Sequence, residues 1–268
     1  MRIRLQKNSF FKWLIIIAIF SGNCFSVRAA FPKEELTRVF ANPRYSGLST
    51  ASKEFYLSDD EKWVVALCNL ARYEGKIFVQ EILLKSDIDT SAPEVKQLIG
   101  LLNSQKSTFP LMPAFSLYKS ASVHAKDMGV SGNTGHVSST GMSYGDRIQQ
   151  FFPSKAGFAE NYYAGSADPV EVVLNLLLGK GDEGIAYRNN ILSAEIHYVG
   201  VSIQPHKKLC SNAVLDFAKK PQVSAISKAQ KKDNMEVYWK DCPTGTKVST
   251  RKKSGGFSFL SLFGGRRK

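Results

Sequence analysis

Tyr187-Arg188-Asn189-Asn190-Ile191-Leu192, followed after a short gap by Val199-Gly200-Val201, decides the fold class of this 268-residue chain. After Leu192 the apolar residues gather into short runs rich in valine and aromatic residues, at 196–203, at 212–217 and more weakly at 235–239. Pro205-His206-Lys207-Lys208 supplies a turn between the first two, so they are expected to be strands of an antiparallel sheet. Helical patterns come before them. Helices followed by antiparallel strands imply α+β layering rather than a parallel sheet.

The helical patterns carry their own start and stop signals. Ser58-Asp59-Asp60-Glu61 has the spacing of a capping box, in which the serine hydroxyl and the glutamate carboxylate satisfy orphan amides at a helix start. Val64, Leu67, Cys68 and Ala71 then share a face, with a break expected near Gly75 and an end near Leu84. Leu117, Ala121, His124, Ala125 and Met128 form a second stripe that ends between Gly129 and Gly132. His124, inside that stripe, fits a buried hydrogen-bonded histidine better than a ligand. Asp168 as cap, Pro169 at the first helical position and Glu171 three residues after the cap open a third helix, whose buried face is Val172, Val173, Leu176 and Leu177. Residues 30–57 show no clear period and are expected to form a lead-in segment packed on the surface, ahead of one domain over 58–218.

Two more segments complete the pattern: Gly135-His136-Val137-Ser138-Ser139 leading to Gly145-Asp146-Arg147-Ile148, and Ala159-Glu160-Asn161. In content, order and spacing, over roughly 55–218, they and the opening segment resemble the CAP superfamily. This is the SCP-like group of cysteine-rich secretory proteins, antigen 5 and pathogenesis-related proteins, here in a bacterial-type secreted form. The resemblance implies a three-layer α-β-α sandwich with a small central antiparallel sheet. It also implies a surface cleft lined by two histidines and two glutamates, which in some members hold a divalent metal.

Carried over motif by motif, the cleft would contain His136, Glu160 and, on the third helix, Glu171. The fourth position departs from the pattern: the residue before Arg188 is Tyr187 where the family places histidine, and His197, ten residues on, is no obvious substitute. A phenol is a poor ligand for zinc at neutral pH, whereas a neutral imidazole is a good one. His136 and Glu160 remain the expected metal-side residues, of a weakened zinc site. Tyr187 would instead donate a hydrogen bond to a cleft carboxylate. Glu171 has an equally good reading as a capping carboxylate, and Glu160 and Asn161 as residues that steady a loop.

A histidine beside a carboxylate could serve as a general base, with Ser138, Ser139 or Thr140 as nucleophile. The chain carries no GxSxG elbow, HExxH, CxxC or glycine-rich phosphate loop. The resemblance implies binding and extracellular interaction rather than an established reaction, so the expected function is a secreted binding or interaction module for a small apolar ligand, lipid or sterol, or for a protein partner. The alternative is a metal-assisted or serine-type extracellular hydrolase using the same cleft.

The N-terminus sets the compartment. Arg2, Arg4, Lys7 and Lys12 precede the apolar run Trp13–Phe20, and Val27-Arg28-Ala29 offers a cleavage site, so residues 1–29 fit a secretory signal peptide. Of the formal charge of +13, the extension 219–268 supplies +10, from 13 Lys and Arg against Asp233, Glu236 and Asp241. The domain itself is near neutral, which gives no electrostatic reason to expect nucleic-acid binding. Within the extension, Phe257–Phe263 lies between two basic clusters and is too short to span a bilayer. It suits adsorption to an anionic membrane surface or a solubilising end. Of the cysteines left after cleavage, Cys68 is expected free on its buried stripe, and Cys210 and Cys242 could pair.

Overall fold

The computed structural model describes residues 30–153, 157–179 and 181–219. The proposed signal peptide, the weak strand at 235–239, Cys242 and the basic extension beyond Lys219 lie outside the described residues.

Residues 30–57 are not the surface-packed segment the sequence suggested. They form helices α1 (Lys33–Ala41) and α2 (Pro43–Ser46), and Leu36, Val39, Phe40, Leu48 and Ala51 enter the main core. Leu36, Val39 and Phe40 do hold helical spacing. Nine residues give too short a pattern to stand out among charged neighbours.

The Ser58 capping box forms as expected. The Glu61 amide donates to Ser58 Oγ at 3.2 Å and the Ser58 amide to Glu61 Oε2 at 2.7 Å, starting α3 (Asp59–Tyr73). The break falls at Glu74, and α4 (Gly75–Glu81) and a turn of 3-10 helix, Leu83–Lys85, continue the path. After α5 (Pro93–Ser104) and the two-residue strand β1 (Met112–Pro113), helix α6 (Phe115–Ser131) ends at Gly132. The Asp-Arg-Ile stretch lies in α7 (Tyr144–Phe151), capped by Ser143.

The Ala-Glu-Asn segment, read from the sequence as steadying a loop, lies instead in strand β2 (Phe158–Gly165). Helices α8 (Pro169–Leu178) and α9 (Gly181–Leu192) precede the hairpin β3 (Tyr198–His206) and β4 (Cys210–Ala218). The sheet order is β1-β3-β4-β2, antiparallel except for the β1 and β3 pair.

This is an α-β-α sandwich, and the two-residue period of a strand shows why. On β4, Ala213, Leu215 and Phe217 enter the core shared with α3, α8 and α9. Val214 packs with Ala121, Ala125 and Met128 of α6, and Ala218 with Leu117 of α6 and Ile148 of α7. Gly200 lets α6 approach the sheet. A Cβ there would lie 2.0 Å from the Tyr118 amide nitrogen and 2.1 Å from the Leu117 carbonyl carbon, so only glycine fits at this position. The exposed edge of β3 is covered in part by Glu61, whose Oε1 accepts from the Ile203 amide at 2.8 Å. Among the described residues no helix is long and apolar enough to cross a membrane.

Candidate functional site

Gly200, Asp216 and Glu160 lie side by side across β3, β4 and β2, on the face that meets α6. Three elements converge on this row. Helix α7 brings Arg147, whose Nη2 donates to Glu160 Oε2 with both side chains buried. Helix α6 brings Ser120 and His124, and the 132–143 loop brings His136. Gly135, at φ 120°, adopts a backbone conformation that favours glycine and turns the chain into His136.

His136 Nδ1 lies 2.8 Å from Glu160 Oε1, and its Nε2 lies 2.9 Å from the Tyr187 hydroxyl. Arg147 holds Glu160 as the charged member of the row, so Nδ1–H donates to Glu160 and the Tyr187 hydroxyl donates to Nε2. Burial lowers the His136 pKa, and the Arg147 charge adds to this against the opposing pull of Glu183, so the ring is neutral. The rings of Tyr144, Tyr162 and Tyr187 meet it with centroids 5.8, 5.2 and 5.7 Å away. Burial also raises the Tyr187 phenol above its ordinary range, with Tyr162 and Glu183 acting in the same direction.

Asp216 is fully buried and faces the Ser120 hydroxyl and the Glu160 carboxyl. Burial, followed by the neighbouring Glu160 charge, raises its pKa well above the carboxylate range. Glu160 is raised by burial as well, but Arg147 opposes the shift. One guanidinium between two carboxyls fits one charge and one proton, and the proton belongs on Asp216.

Of the four residues expected in the cleft, the fold brings His136, Glu160 and Tyr187 together. Glu171 is elsewhere: its Oε1 accepts from the Tyr163 hydroxyl at 2.7 Å. Tyr163 and Glu160 are three residues apart on one strand and therefore face opposite sides of the sheet. Glu171 does not close a capping box either, since the Asp168 amide donates to Ser166 Oγ while Asp168 Oδ1 accepts from the Val170 and Glu171 amides. The carboxylate whose charge acts on His136, Tyr162 and Tyr187 is Glu183, one turn before Tyr187 on α9. An acidic residue at i−4 to Tyr187 was the available signal for it.

His124 is buried in the α6 stripe, as expected, with Nε2 donating to the Gly135 carbonyl at 2.7 Å and no partner on Nδ1. It steadies the turn that carries His136. Burial first, then Arg147, pushes its pKa from 6.5 down to about 4, against Asp127, while Glu160 Oε1 lies 3.8 Å away. The native state thus binds fewer protons than the unfolded chain between these values. Stability contributed by neutral His124 is present above pH 6.5 and is lost as the pH falls towards 4. It amounts to at most about 3 kcal/mol. Urea midpoints of the wild type and His124→Gln are expected to converge as the pH is lowered through this window; parallel profiles would show that His124 does not titrate this way.

The family model for CAP, the cysteine-rich secretory protein family, matches residues 67–217. The chain belongs to the CAP family. Among solved structures, it is similar to an extracellular protein containing an SCP domain from Bacillus anthracis, at 24% identity and a TM-score of 0.35 over 42% of this chain and 35% of that one. It is also similar to an outer surface protein from Borrelia burgdorferi, at 19% identity and a TM-score of 0.37 over 50% of this chain and 96% of that one. The match thus spans about a third of the Bacillus protein. No curated protein matches the chain.

This CAP domain does not carry a donor set that fits a metal. Both nitrogens of His136 are committed to side chains, Glu160 is bound by Arg147 and His136, and the fourth position is a phenol. Among the described residues, no three His, Cys, Asp or Glu side chains are grouped to hold an ion.

Proposed function

We propose that the chain is a secreted CAP-domain binding module whose His136 cleft recognises a partner or small apolar ligand without transforming it. Residues 1–29 direct it out of the cytoplasm, and the basic extension adds contact with anionic envelope surfaces. The observation that carries this reading is the fate of the hydroxyls beside His136. Ser139 Oγ donates to Asp127, Ser138 Oγ is shared between Thr140 Oγ1 and the Met142 amide, and the one hydroxyl on His136 Nε2 is the Tyr187 phenol. A phenol raised by burial is a weak nucleophile. The charge-bearing line Arg147–Glu160–His136 supports a rigid, preorganised recognition surface.

The secreted chain is expected to turn over none of a broad panel of peptides and esters. In native mass spectrometry, after purification without chelator, it is expected to be metal-free. Hydrolysis that vanishes in His136→Ala and survives in Ser202→Ala would replace this reading with the hydrolase.

A further inference from the structure

On the side of the sheet away from His136, a cavity of about 510 Å³ opens between residues 30–32, the 85–95 segment and α8. That volume is in the range of small-molecule sites. Helix α8 presents two adjacent rows to it at four-residue spacing, an apolar row of Val170, Leu174 and Leu178 and a polar row of Glu171 and Asn175. The facing segment repeats the division, with Ile88, Ala92 and Val95 apolar and Asp87, Asp89 and Glu94 acidic. Phe31 is fixed at one end by its amide, which donates to Asp168 Oδ2 at 3.2 Å. The lining therefore has an apolar floor and an acidic rim.

We infer that this cavity binds a cation-headed amphiphile, an aliphatic body ending in an ammonium group. The body lies along Val170, Leu174 and Leu178, and the head lies among the rim carboxylates. Among the described residues, five carboxylates and one ammonium, Lys85, line the cavity; Lys85 is paired with Glu35 at 3.2 Å and Glu81 at 2.8 Å, and Asp89, Asp168 and Glu171 accept from neutral amides and hydroxyls, which leaves their negative charge in place. A carboxylate-headed lipid of the same length would set like charges side by side as its own head left water, so the rim selects by repulsion as well as attraction. Rim charges at partial exposure are screened by salt, which makes the preference ionic-strength dependent. This inference concerns a second site and stands apart from the function of the His136 cleft.

The test is a calorimetric titration of the secreted chain with decylamine, decan-1-ol and decanoate, each below its micellar concentration, at neutral pH and low salt. Decylamine is expected to bind at least about tenfold more tightly than decanol, with decanoate weakest, and its advantage is expected to shrink at about 0.5 M salt. Asn175→Lys changes an exposed helical position on the polar row. It is expected to weaken decylamine by about tenfold and improve decanoate, whereas His136→Ala leaves all three affinities unchanged. Equal affinity for the three, tighter decanoate, binding of none, or indifference to Asn175→Lys would each overturn the assignment. Loss of decylamine in His136→Ala would place the ligand in the other site.

Discussion

Arg72→Met is expected to lower the unfolding free energy of the mature chain by about 3–5 kcal/mol. Arg72 is 1% exposed, and no carboxylate among the described residues neutralises it. It donates instead to backbone carbonyls from three stretches of chain: Phe109 through Nε and Nη2 at 3.1 and 2.9 Å, Ile191 and Ser193 through Nη1, and Ile196 through Nη2 at 2.9 Å. Two of these carbonyls belong to the end of α9, where the helix dipole favours a cation. Burial pushes the Arg72 pKa down to about 10, so the charge persists at neutral pH and its desolvation is offset by these bonds. Methionine removes the desolvation cost but leaves the Phe109, Ile191 and Ile196 carbonyls without their donor, while Ser193 keeps the Ile196 amide, and the second effect is larger. Arg72→Lys is expected to lose most of the same stability, because a point charge cannot serve carbonyls fanned around a planar fork. Urea midpoints, with the m-value unchanged, are the measurement. A loss below about 1 kcal/mol in Arg72→Met would show that water replaces the guanidinium.

Local signals were legible in the sequence and long-range ones were not. Ser58 with Glu61, and Asp168 with the Val170 and Glu171 amides after Pro169, bond within their own helix starts, so spacing alone placed α3 and α8. The hairpin of β3 and β4 announced itself by apolar runs and a turn. Strand β2 did not, because its edge position leaves Glu160 and Asn161 in an otherwise strand-like run. The hydrogen bonds of Asn161, from its amide to the Tyr187 carbonyl and from Asn190 to its own oxygen, involve chain 26 and 29 residues away. Resemblance to the CAP family located His136, Glu160 and the departure at Tyr187. It misplaced Glu171, because a capping position says nothing of which face of a neighbouring strand the helix adjoins. Arg72, Arg147 and Asp216 were missed for a common reason: each is a polar residue buried by segments distant in sequence, and a buried arginine has no periodic signature.

The second large effect is expected at Arg147, and it separates the cost of a buried pair from its value. Arg147→Met leaves Glu160 and Asp216 adjacent, both buried and with no cation between them, at an expected cost of about 3–5 kcal/mol. Arg147 is itself only partly satisfied, since Nε and Nη1 have no hydrogen-bond partner among the described residues, so the intact network carries a penalty that its removal in full would relieve. Arg147→Met combined with Glu160→Gln is accordingly expected to recover most of the loss. The coupling energy in this double-mutant cycle should be at least about 2 kcal/mol. The single variant should also become relatively more stable as the pH falls, because Glu160 can then bind a proton beside the already protonated Asp216, and the native state binds more protons than the unfolded chain. Urea unfolding of the two single variants and the double variant between neutral pH and pH 5 measures both quantities. Additive losses, with no change in pH slope for Arg147→Met, would mean that Arg147 acts by filling space on α7 and that Glu160 is held by His136 alone.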